Sequence, residues 1–260
     1  MSAARIFLGN DYFGAGNFGD DLTLAGFMSA AARRPELTVT ACTAHDIEAM
    51  RRRFPRVRWL PGGDAIRDGA LRDADVWVAL GDTPFQLDSG PWLLDHNDRD
   101  RRRCAALGKP MYLLGAGCES AAAAGDPRSV ALLAAAERVW TRDTLSAATL
   151  RPFIDADRLS GGADLAHLAF DGDASPLARE RDVMGLLLAF ERREQFDLHE
   201  LASLVLKRPR GTTRWLVQEV RALPYLERWI FEHLAPEARA RLSLMDTRYA
   251  SFSAEEYLRA

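Results

Sequence analysis

The sequence predicts an α/β fold built on a doubly wound parallel sheet. Over the first 170 residues, short apolar runs alternate with longer amphipathic or alanine-rich segments. Strands and crossover helices alternate in this way when the strands are parallel. Most of the apolar runs end in glycine-rich or acidic turns, and in open α/β sheets such turns gather at the carboxyl edge, where ligands bind. The pattern therefore predicts both a fold and the edge that carries its site.

The first strand and helix enclose the most distinctive stretch of the chain. Residues 5–8, RIFL, form the predicted strand, and residues 22–28 begin the first helix. The segment from Gly9 to Leu24, GNDYFGAGNFGDDLTL, contains four glycines and an acidic pair. Its place after the first strand points to a small-molecule site.

Five more apolar runs are interpreted as strands: 37–42, 57–60, 75–80, 111–114 and 138–141. The third of these is apolar almost throughout, as is typical of a central strand covered on both faces. Two helices are predicted over residues 44–53 and 126–137. Another is predicted to end at the glycine-proline stop at 108–110, and a further one to end near residue 150. With the closing turn at 161–164, these elements make about six strand-helix units.

The same pattern restarts after a polar linker. We predict a Rossmann-like N-terminal domain over 1–172, a linker over 173–182 and a second α/β domain over 183–260. Strands are expected at 183–190, 215–220 and 242–245, a capping box at Asp197-x-x-Glu200 and a helix around 226–234. Ser253-x-x-Glu256 opens one more helix that has barely begun at Ala260. We therefore expect the second domain to be smaller and incomplete.

Composition limits the function classes. The formal net charge of −3 gives no basic balance for nucleic acid. No signal-peptide pattern and no run of roughly 18 apolar residues occurs, so we predict no membrane span and a cytoplasmic location. The three cysteines form no CxxC pair and suit a reducing compartment, and no metal-ligand spacing is recognisable. A homo-oligomer is left open.

A dinucleotide site is disfavoured although Gly14 to Gly19 formally satisfies GxGxxG. The first glycine lies six residues after Leu8, and no acid follows the second strand. Asp20 and Asp21 would also repel a pyrophosphate at the helix N-terminus. One alternative is that these two carboxylates cap the helix and favour its dipole. The other is that they accept hydrogen bonds from hydroxyls of a sugar-like ligand.

Arg142 is the candidate for binding an anion, because it stands at a strand-to-helix turn where a guanidinium can grip a carboxylate or phosphate. The alternative is an ion pair with Asp143. Gly115 and Gly117 could offer backbone N–H groups to the same anion or could simply form a tight turn. Cys118 has no adjacent base and is interpreted as a packed thiol.

Among the histidines, His167 is the candidate acid or base, since it follows Asp164 at the predicted ligand edge. His45, His96 and His199 are expected to be solvated. His233 falls on an apolar helical stripe and is expected in the core.

The stretch from Gly9 to Leu24 resembles the first motif of the polysaccharide pyruvyl transferase family. Later turns agree in order: DVWVALG at 75–81 with Asp88, LGAG at 114–117, TRD at 141–143 with Ser146, and GAD at 162–164. The resemblance covers residues 5–170. It implies a two-domain fold similar to GT-B, phosphoenolpyruvate as the donor substrate with no other cofactor, and a saccharide-like acceptor that receives a pyruvate ketal.

Two departures from the family leave two hypotheses open. The chain reads Gly81-Asp-Thr where the family has a glycine triplet, and no Arg-x-His motif follows Val183. The first hypothesis is a transferase with these site residues: His167 and Asp20 catalytic, and Asn17, Asp21, Gly81, Gly115, Gly117, Arg142 and Asp164 substrate-binding. The second is a repurposed member that binds a saccharide without turnover or needs a partner chain.

Overall fold

A computed structural model describes residues 4–15, 17–169, 183–186, 197–207, 212–217 and 227–246. The chain divides into two compact units. The first unit comprises Met1–Ala15 and Asp20–Ala169, and the second comprises Gly16–Gly19 and Phe170–Ala260. Each is described by itself below.

The first unit is built on a seven-stranded sheet. Its strands are β1 (Arg5–Leu8), β2 (Thr38–Thr43), β3 (Val57–Pro61), β4 (Val76–Leu80), β5 (Met111–Ala116), β6 (Ala136–Thr141) and β7 (Leu159–Gly161). They are all parallel in the order β3-β2-β1-β4-β5-β6-β7. The chain therefore winds outward from β1 in one direction and from β4 in the other.

Helices cover both faces of this sheet. They are α1 (Phe18–Ala32), α2 (Ile47–Arg53), α3 (Asp64–Asp73), α4 (Trp92–Leu107), α5 (Ala121–Gly125), α6 (Pro127–Ala135) and α7 (Thr144–Leu150), with 3-10 turns at Arg151–Phe153 and Leu165–Ala169. One buried apolar cluster includes residues of α3, α4 and α6, and a second includes residues of α1 and α2. Two cores on one parallel sheet confirm the predicted doubly wound architecture.

Capping residues set several predicted helix boundaries. Asp46 accepts a hydrogen bond from the Ala49 N–H at 2.9 Å and begins α2. Asp126 accepts one from the Arg128 N–H at 2.9 Å and begins α6. Gly108 ends α4 in the left-handed conformation, at φ 62°, which glycine adopts without steric cost. The boundaries at Asp126 and Gly108 are confirmed, whereas the helix predicted from residue 44 begins at Ile47 because Asp46 caps it.

Three elements of the first unit differ from the prediction. The helix predicted to reach Glu137 ends at Ala135, because β6 already begins at Ala136. The turn at 61–64 leads into α3, a helix that was not predicted and whose ten residues include five charged side chains. The predicted closing turn begins as the short strand β7, which pairs with β6.

The second unit contains a three-stranded parallel sheet in the order β10-β9-β8. Its described elements are β8 (Val183–Leu186), α8 (Leu198–Lys207), β9 (Thr212–Val217), α9 (Glu227–His233), α10 (Pro236–Arg239) and β10 (Leu242–Asp246). Buried side chains of the three helices form a separate core. Asp197 caps α8 through the His199 N–H at 2.7 Å, as predicted. The predicted linker 173–182 and the helix at 253–256 lie outside the described residues.

Within the part of the chain that the structure describes, no helix combines the length and apolarity needed to cross a bilayer.

Candidate functional site

The candidate site lies where the winding direction of the sheet changes, between β1 and β4. Open α/β sheets bind ligands in the crevice that forms at this point, outside the carboxyl ends of the strands. Polar side chains from the loops after β1, β4 and β6 interact there, and we call them the switch-point cluster: Tyr12, Asp82, Thr83 and Arg142.

Asp82 is held in an unusual backbone conformation. Its φ is 59°, in the left-handed region that aspartate tolerates better than most side chains. It follows Gly81, where φ is 60° and a Cβ would lie 2.6 Å from the methyl group of Thr23. The Asp82 carboxylate accepts a hydrogen bond from the Thr83 N–H at 2.6 Å, and its carbonyl accepts one from Gly117 at 2.8 Å. Strained residues of this kind concentrate at functional sites.

Tyr12 links the first loop to Asp82. Its hydroxyl accepts a hydrogen bond from the Asn10 side-chain amide and lies near the Asp82 carboxyl. Burial holds the pKa of Tyr12 well above its usual value, and the charges of Asp82 and Asp20 raise it further. The phenol is therefore protonated at neutral pH and can offer its hydrogen to Asp82.

The pKa of the Asp82 carboxyl is raised above its usual value, chiefly because burial disfavours the charged form. The Thr83 N–H, the Arg142 cation and the Tyr12 hydroxyl oppose this effect, whereas the charge of Asp164 adds to it. A carboxyl in this situation can both take up and release a proton, which is the property required of a general acid or base.

Arg142 provides the positive charge of the cluster. Its Nη2 donates a hydrogen bond to Thr83 Oγ1 at 3.0 Å, and 37% of its side chain is exposed. The guanidinium lies against Gly117, where a Cβ would come within 2.8 Å of Nε and Nη2. The predicted alternative, an ion pair with Asp143, is long, since Nε and Oδ2 are 3.7 Å apart. Asp143 caps α7 instead, through the Ser146 N–H at 2.6 Å.

The two glycines after β5 have structural tasks. The Gly117 N–H donates to the Asp82 carbonyl, so the turn alternative holds for this residue, and it must lack a side chain for Arg142 to fit. Gly115 has φ 74°, and a Cβ there would lie 3.2 Å from Leu165. Gly81 is likewise buried in its turn, and its N–H donates to the Leu114 carbonyl. All three glycines shape the site.

Of the two adjacent acids in α1, only Asp20 acts on the cluster. It is partly exposed, and its charge raises the pKa of Tyr12. Asp21 is fully buried and accepts hydrogen bonds from the Gly14 N–H at 3.1 Å and from Arg53 Nη1 at 3.0 Å. This corrects the expectation that Asp21 contacts the substrate: its carboxylate fastens the glycine-rich loop to the protein interior.

The remaining predicted site residues have local contacts only. Asn17 is exposed and accepts a hydrogen bond from the Gly19 N–H at 3.0 Å, at the start of α1. Asp164 Oδ1 accepts one from the Ala166 N–H at 2.9 Å and acts on Asp82 through its charge. His167 is exposed, and its backbone N–H donates to the Asp164 carbonyl. The structure brings Arg142 and Asp164 to the cluster and leaves the His167 imidazole without a described contact there.

For the other four histidines, the predicted exposure is correct at two positions and wrong at two. His45 and His199 are exposed, as predicted. His96 is buried and hydrogen-bonded to the Gly9 carbonyl at 2.8 Å, so the expectation that it is solvated was wrong. His233 is exposed and stacks on Trp229 at 3.9 Å, so it is not a core residue. Both errors arise because a helical pattern does not reveal which neighbours cover a face.

Glu119 ties together two loops of the site. Its carboxylate accepts hydrogen bonds from three consecutive backbone N–H groups, those of Leu87, Asp88 and Ser89, at 2.6, 2.7 and 3.0 Å. These bonds lower its pKa. Its own N–H donates to the Phe85 carbonyl at 2.9 Å. The segment that carries Asp82 is therefore clamped to the loop after β5.

Trp92 and Cys118 are two further side chains near the site. Trp92 is 51% exposed and meets the ring of Tyr12 edge-on, with centroids 5.8 Å apart. Cys118 is partly buried, burial raises the pKa of its thiol, and its Sγ donates to the Ser120 carbonyl. The thiol is therefore packed, as predicted. Among the described residues, no group of three or more histidine, cysteine or acidic side chains could hold a metal ion.

Sequence reasoning overlooked Tyr12, Asp82 and Thr83. The signal for Asp82 was present, because an acid directly follows the glycine that ends the apolar run at 75–80. Tyr12 carries no such signal, since its role depends on the fold of the loop.

Comparisons with known proteins agree on architecture. No protein-family model and no curated protein sequence matches the chain. The structure of UDP-N-acetylglucosamine 2-epimerase from Rickettsia bellii is similar, with a TM-score of 0.60 and 10% identity, covering 100% of this chain and 71% of that one. A Staphylococcus aureus MnaA-UDP structure has a TM-score of 0.60 and 10% identity, covering 94% and 70%. The UDP-GlcNAc 2-epimerase from Methanocaldococcus jannaschii gives 0.57 and 12%, covering 98% and 75%.

Identities this low bear on the fold alone. Together with the seven-stranded parallel sheet, they show that the chain has an α/β, Rossmann-like fold of the GT-B type.

Proposed function

We propose that the switch-point cluster binds an anionic donor through Arg142 and activates an acceptor hydroxyl through Asp82. The reaction we propose is transfer of the pyruvyl unit of phosphoenolpyruvate to a saccharide. The observation that carries the proposal is the pairing of a partly exposed guanidinium with a carboxyl of raised pKa, connected through Thr83 at 3.0 Å.

The chemistry needs both groups. A ketal forms when two acceptor hydroxyls bond to C2 of the enolpyruvyl unit, C3 gains a proton and the C2–O bond to phosphate breaks. One hydroxyl proton ends on C3 and the other leaves with inorganic phosphate. Asp82 is suited to take the proton from a hydroxyl and return it to C3, because its raised pKa lets it hold a proton. Arg142 is suited to bind the donor carboxylate or phosphate.

Two further points support the saccharide acceptor. The ordered motifs between residues 5 and 170 resemble those of polysaccharide pyruvyl transferases. Several structures that share the fold are named for UDP-N-acetylglucosamine, which is a sugar nucleotide. The family histidine has no counterpart after Val183, and Asp82 takes the proton-transfer role in this proposal.

The test measures the release of phosphate from phosphoenolpyruvate by ³¹P NMR in the presence of each member of a panel of saccharide acceptors. We expect Asp82→Asn to abolish release and Arg142→Gln to raise the KM for the donor by at least tenfold, about 1.4 kcal/mol. The matched control is Arg138→Gln, because Arg138 is an exposed arginine at the other end of β6. Phosphate release that Asp82→Asn leaves intact would refute the role of Asp82, and no release with any acceptor would refute the transferase.

A second candidate function is saccharide binding without turnover, and the exposed indole of Trp92 favours it. An indole beside a buried tyrosine can stack on the apolar face of a pyranose ring. In this case Trp92→Ala should abolish the calorimetric signal of saccharide binding while the wild type releases no phosphate. Loss of saccharide affinity together with retained phosphate release would instead make Trp92 part of the acceptor site.

A further inference from the structure

A second polar pocket lies on the other side of the loop after β1, and we call it the arginine pocket. It has a volume of about 260 Å³. Its lining residues come from the ends of β1 and β2, the start of α3 and one face of α4: Asp11, Cys42, Gly62, Gly63, Asp64, Arg67, His96, Arg99 and Arg103. None of its side chains belongs to the switch-point cluster.

Arg67 forms the buried base of this pocket. Only 3% of the residue is exposed, and its guanidinium donates to both oxygens of Asp100 and to the Gly9 carbonyl. His96 Nε2 lies 2.8 Å from Nη2. Nη1 has no hydrogen-bond partner among the described residues, and it lies 4.0 Å from the Asp11 carboxylate. A buried cationic donor without a partner is costly, and a ligand that supplies an oxygen would remove the cost.

The start of α3 adds backbone donors to the same pocket. Its N-cap is Gly63, which has no side chain to satisfy the first N–H groups of the helix. A Cβ at Gly63 would meet no atom within 4 Å, so the space in front of the helix is open. Uncapped N–H groups and the helix dipole favour an anion at this position.

Both acidic and basic side chains line the pocket, and their ion pairs show which cations are available to bind an anion. Arg103 is engaged by Asp64, Asp68 and Asp100. Arg99 is exposed and has no ion pair within the described ranges. Asp11, with 42% of its side chain exposed, lies 4.0 Å from Nη1 and 3.7 Å from His96 Nδ1. An anion in the pocket would therefore interact with Arg99 and Arg67, and it would compete with the Asp11 carboxylate for these cations.

We propose that the arginine pocket is a binding site for the phosphate group of a small phosphorylated molecule. Tetrahedral phosphate oxygens suit a guanidinium and a helix N-terminus at once. The volume is below the roughly 300–1,000 Å³ of sites for drug-sized ligands, so the molecule is small. The site does not depend on Asp82 or Arg142 and stands apart from the proposed transferase chemistry.

The test is titration calorimetry in about 0.15 M salt, where long-range attraction is screened. The probes are inorganic phosphate, glucose 6-phosphate and glucose. We expect both phosphates to bind and glucose not to bind. Tighter binding of glucose 6-phosphate than of inorganic phosphate would identify the ligand as a phosphorylated saccharide, whereas equal affinities would identify phosphate itself as the recognised group.

Two variants with opposite effects make the test specific. Arg99→Gln should weaken phosphate binding about fivefold, and Asp11→Asn should tighten it about fivefold because the competing carboxylate is lost. Arg102→Gln, on α4 but outside the pocket lining, is the matched control and should leave the affinity unchanged. Phosphate binding that persists in Arg142→Gln belongs to the arginine pocket, because this variant removes the anion-binding side chain of the switch-point cluster.

A local signal should accompany binding. The Trp77 indole donates to Asp100 Oδ2 at 2.8 Å, beneath Arg67. Its ¹H–¹⁵N resonance should shift when phosphate binds, while that of Trp140, in β6, should not. The proposal is overturned if phosphate and glucose 6-phosphate fail to bind, if Asp11→Asn weakens binding, or if Arg102→Gln and Arg99→Gln weaken it equally.

Discussion

Protonation of the buried Asp21 should make the first unit more stable as the pH falls from 7 to 4. Burial raises the pKa of this carboxyl from 3.8 to about 6, although Arg53 and the Gly14 N–H oppose the rise. Between these two values the native state binds more protons than the unfolded state, so the free energy of unfolding increases on acidification. The full pKa difference between the native and unfolded states corresponds to about 3 kcal/mol of unfolding free energy, of which about 2 kcal/mol develops between pH 7 and pH 4.

The assay compares the wild type with Asp21→Asn, which cannot take up the proton. Urea unfolding is followed by tryptophan fluorescence at pH 4, 5, 6 and 7, in a background in which Trp215 and Trp229 are phenylalanine so that the first unit is observed. The stability of the wild type relative to the variant should increase by about 2 kcal/mol as the pH falls. Asp155→Asn, which removes an exposed carboxylate, corrects for the change in net charge.

Other carboxyl groups set the lowest pH at which the comparison still reports on Asp21. Asp75 and Asp126 have pKa values of about 2 because arginine side chains bind them, and their contributions are lost only at lower pH. If the wild type and Asp21→Asn keep a constant difference from pH 4 to pH 7, the reasoning from burial is wrong.

Three substitutions test the scaffold of the two sites. Gly117→Ala should displace the guanidinium of Arg142 and weaken phosphoenolpyruvate binding in calorimetry while unfolding changes by less than about 1 kcal/mol; unchanged affinity would show that the contact does not matter. Glu119→Gln should cost about 1–3 kcal/mol and speed hydrogen exchange of the three amides it binds, and unaltered protection would contradict the clamp. Arg67→Met should cost about 3–5 kcal/mol in urea unfolding because the buried Asp100 loses its closest cation and keeps only Arg103 and the Trp77 indole as partners, and Arg67→Met with Asp100→Leu should recover part of the loss; a double variant less stable than the single one would argue against this cause.

The parallel sheet was predictable because its signals are local. The strand from Val76 to Leu80 is covered on both faces and therefore reads as a continuous apolar run. Helix ends at Asp126 and Gly108 follow from the chemistry of capping, which depends on few neighbouring residues. The helix α3 was missed because half of its residues are charged and its buried face, formed by Arg67, Ala70 and Leu71, contains only one large apolar side chain.

The site was predictable only in part, because its chemistry depends on contacts between distant loops. Arg142 follows a strand directly, and its turn could be located from the sequence. The inward orientation of Asp21 could not be, because it depends on Arg53, 32 positions away. The same holds for Tyr12 and Asp82, which are 70 residues apart in the chain and interact in the switch-point cluster.

The loop after β1 places consecutive side chains at two different sites. Asp11 lies beside Arg67 in the arginine pocket, whereas Tyr12 lies near Asp82 in the switch-point cluster. A ligand that moves one of these residues acts on the peptide segment that also positions the other. Any resulting coupling must be reciprocal: if phosphate in the pocket changes the affinity of the cluster for its ligand by some factor, that ligand changes the affinity for phosphate by the same factor.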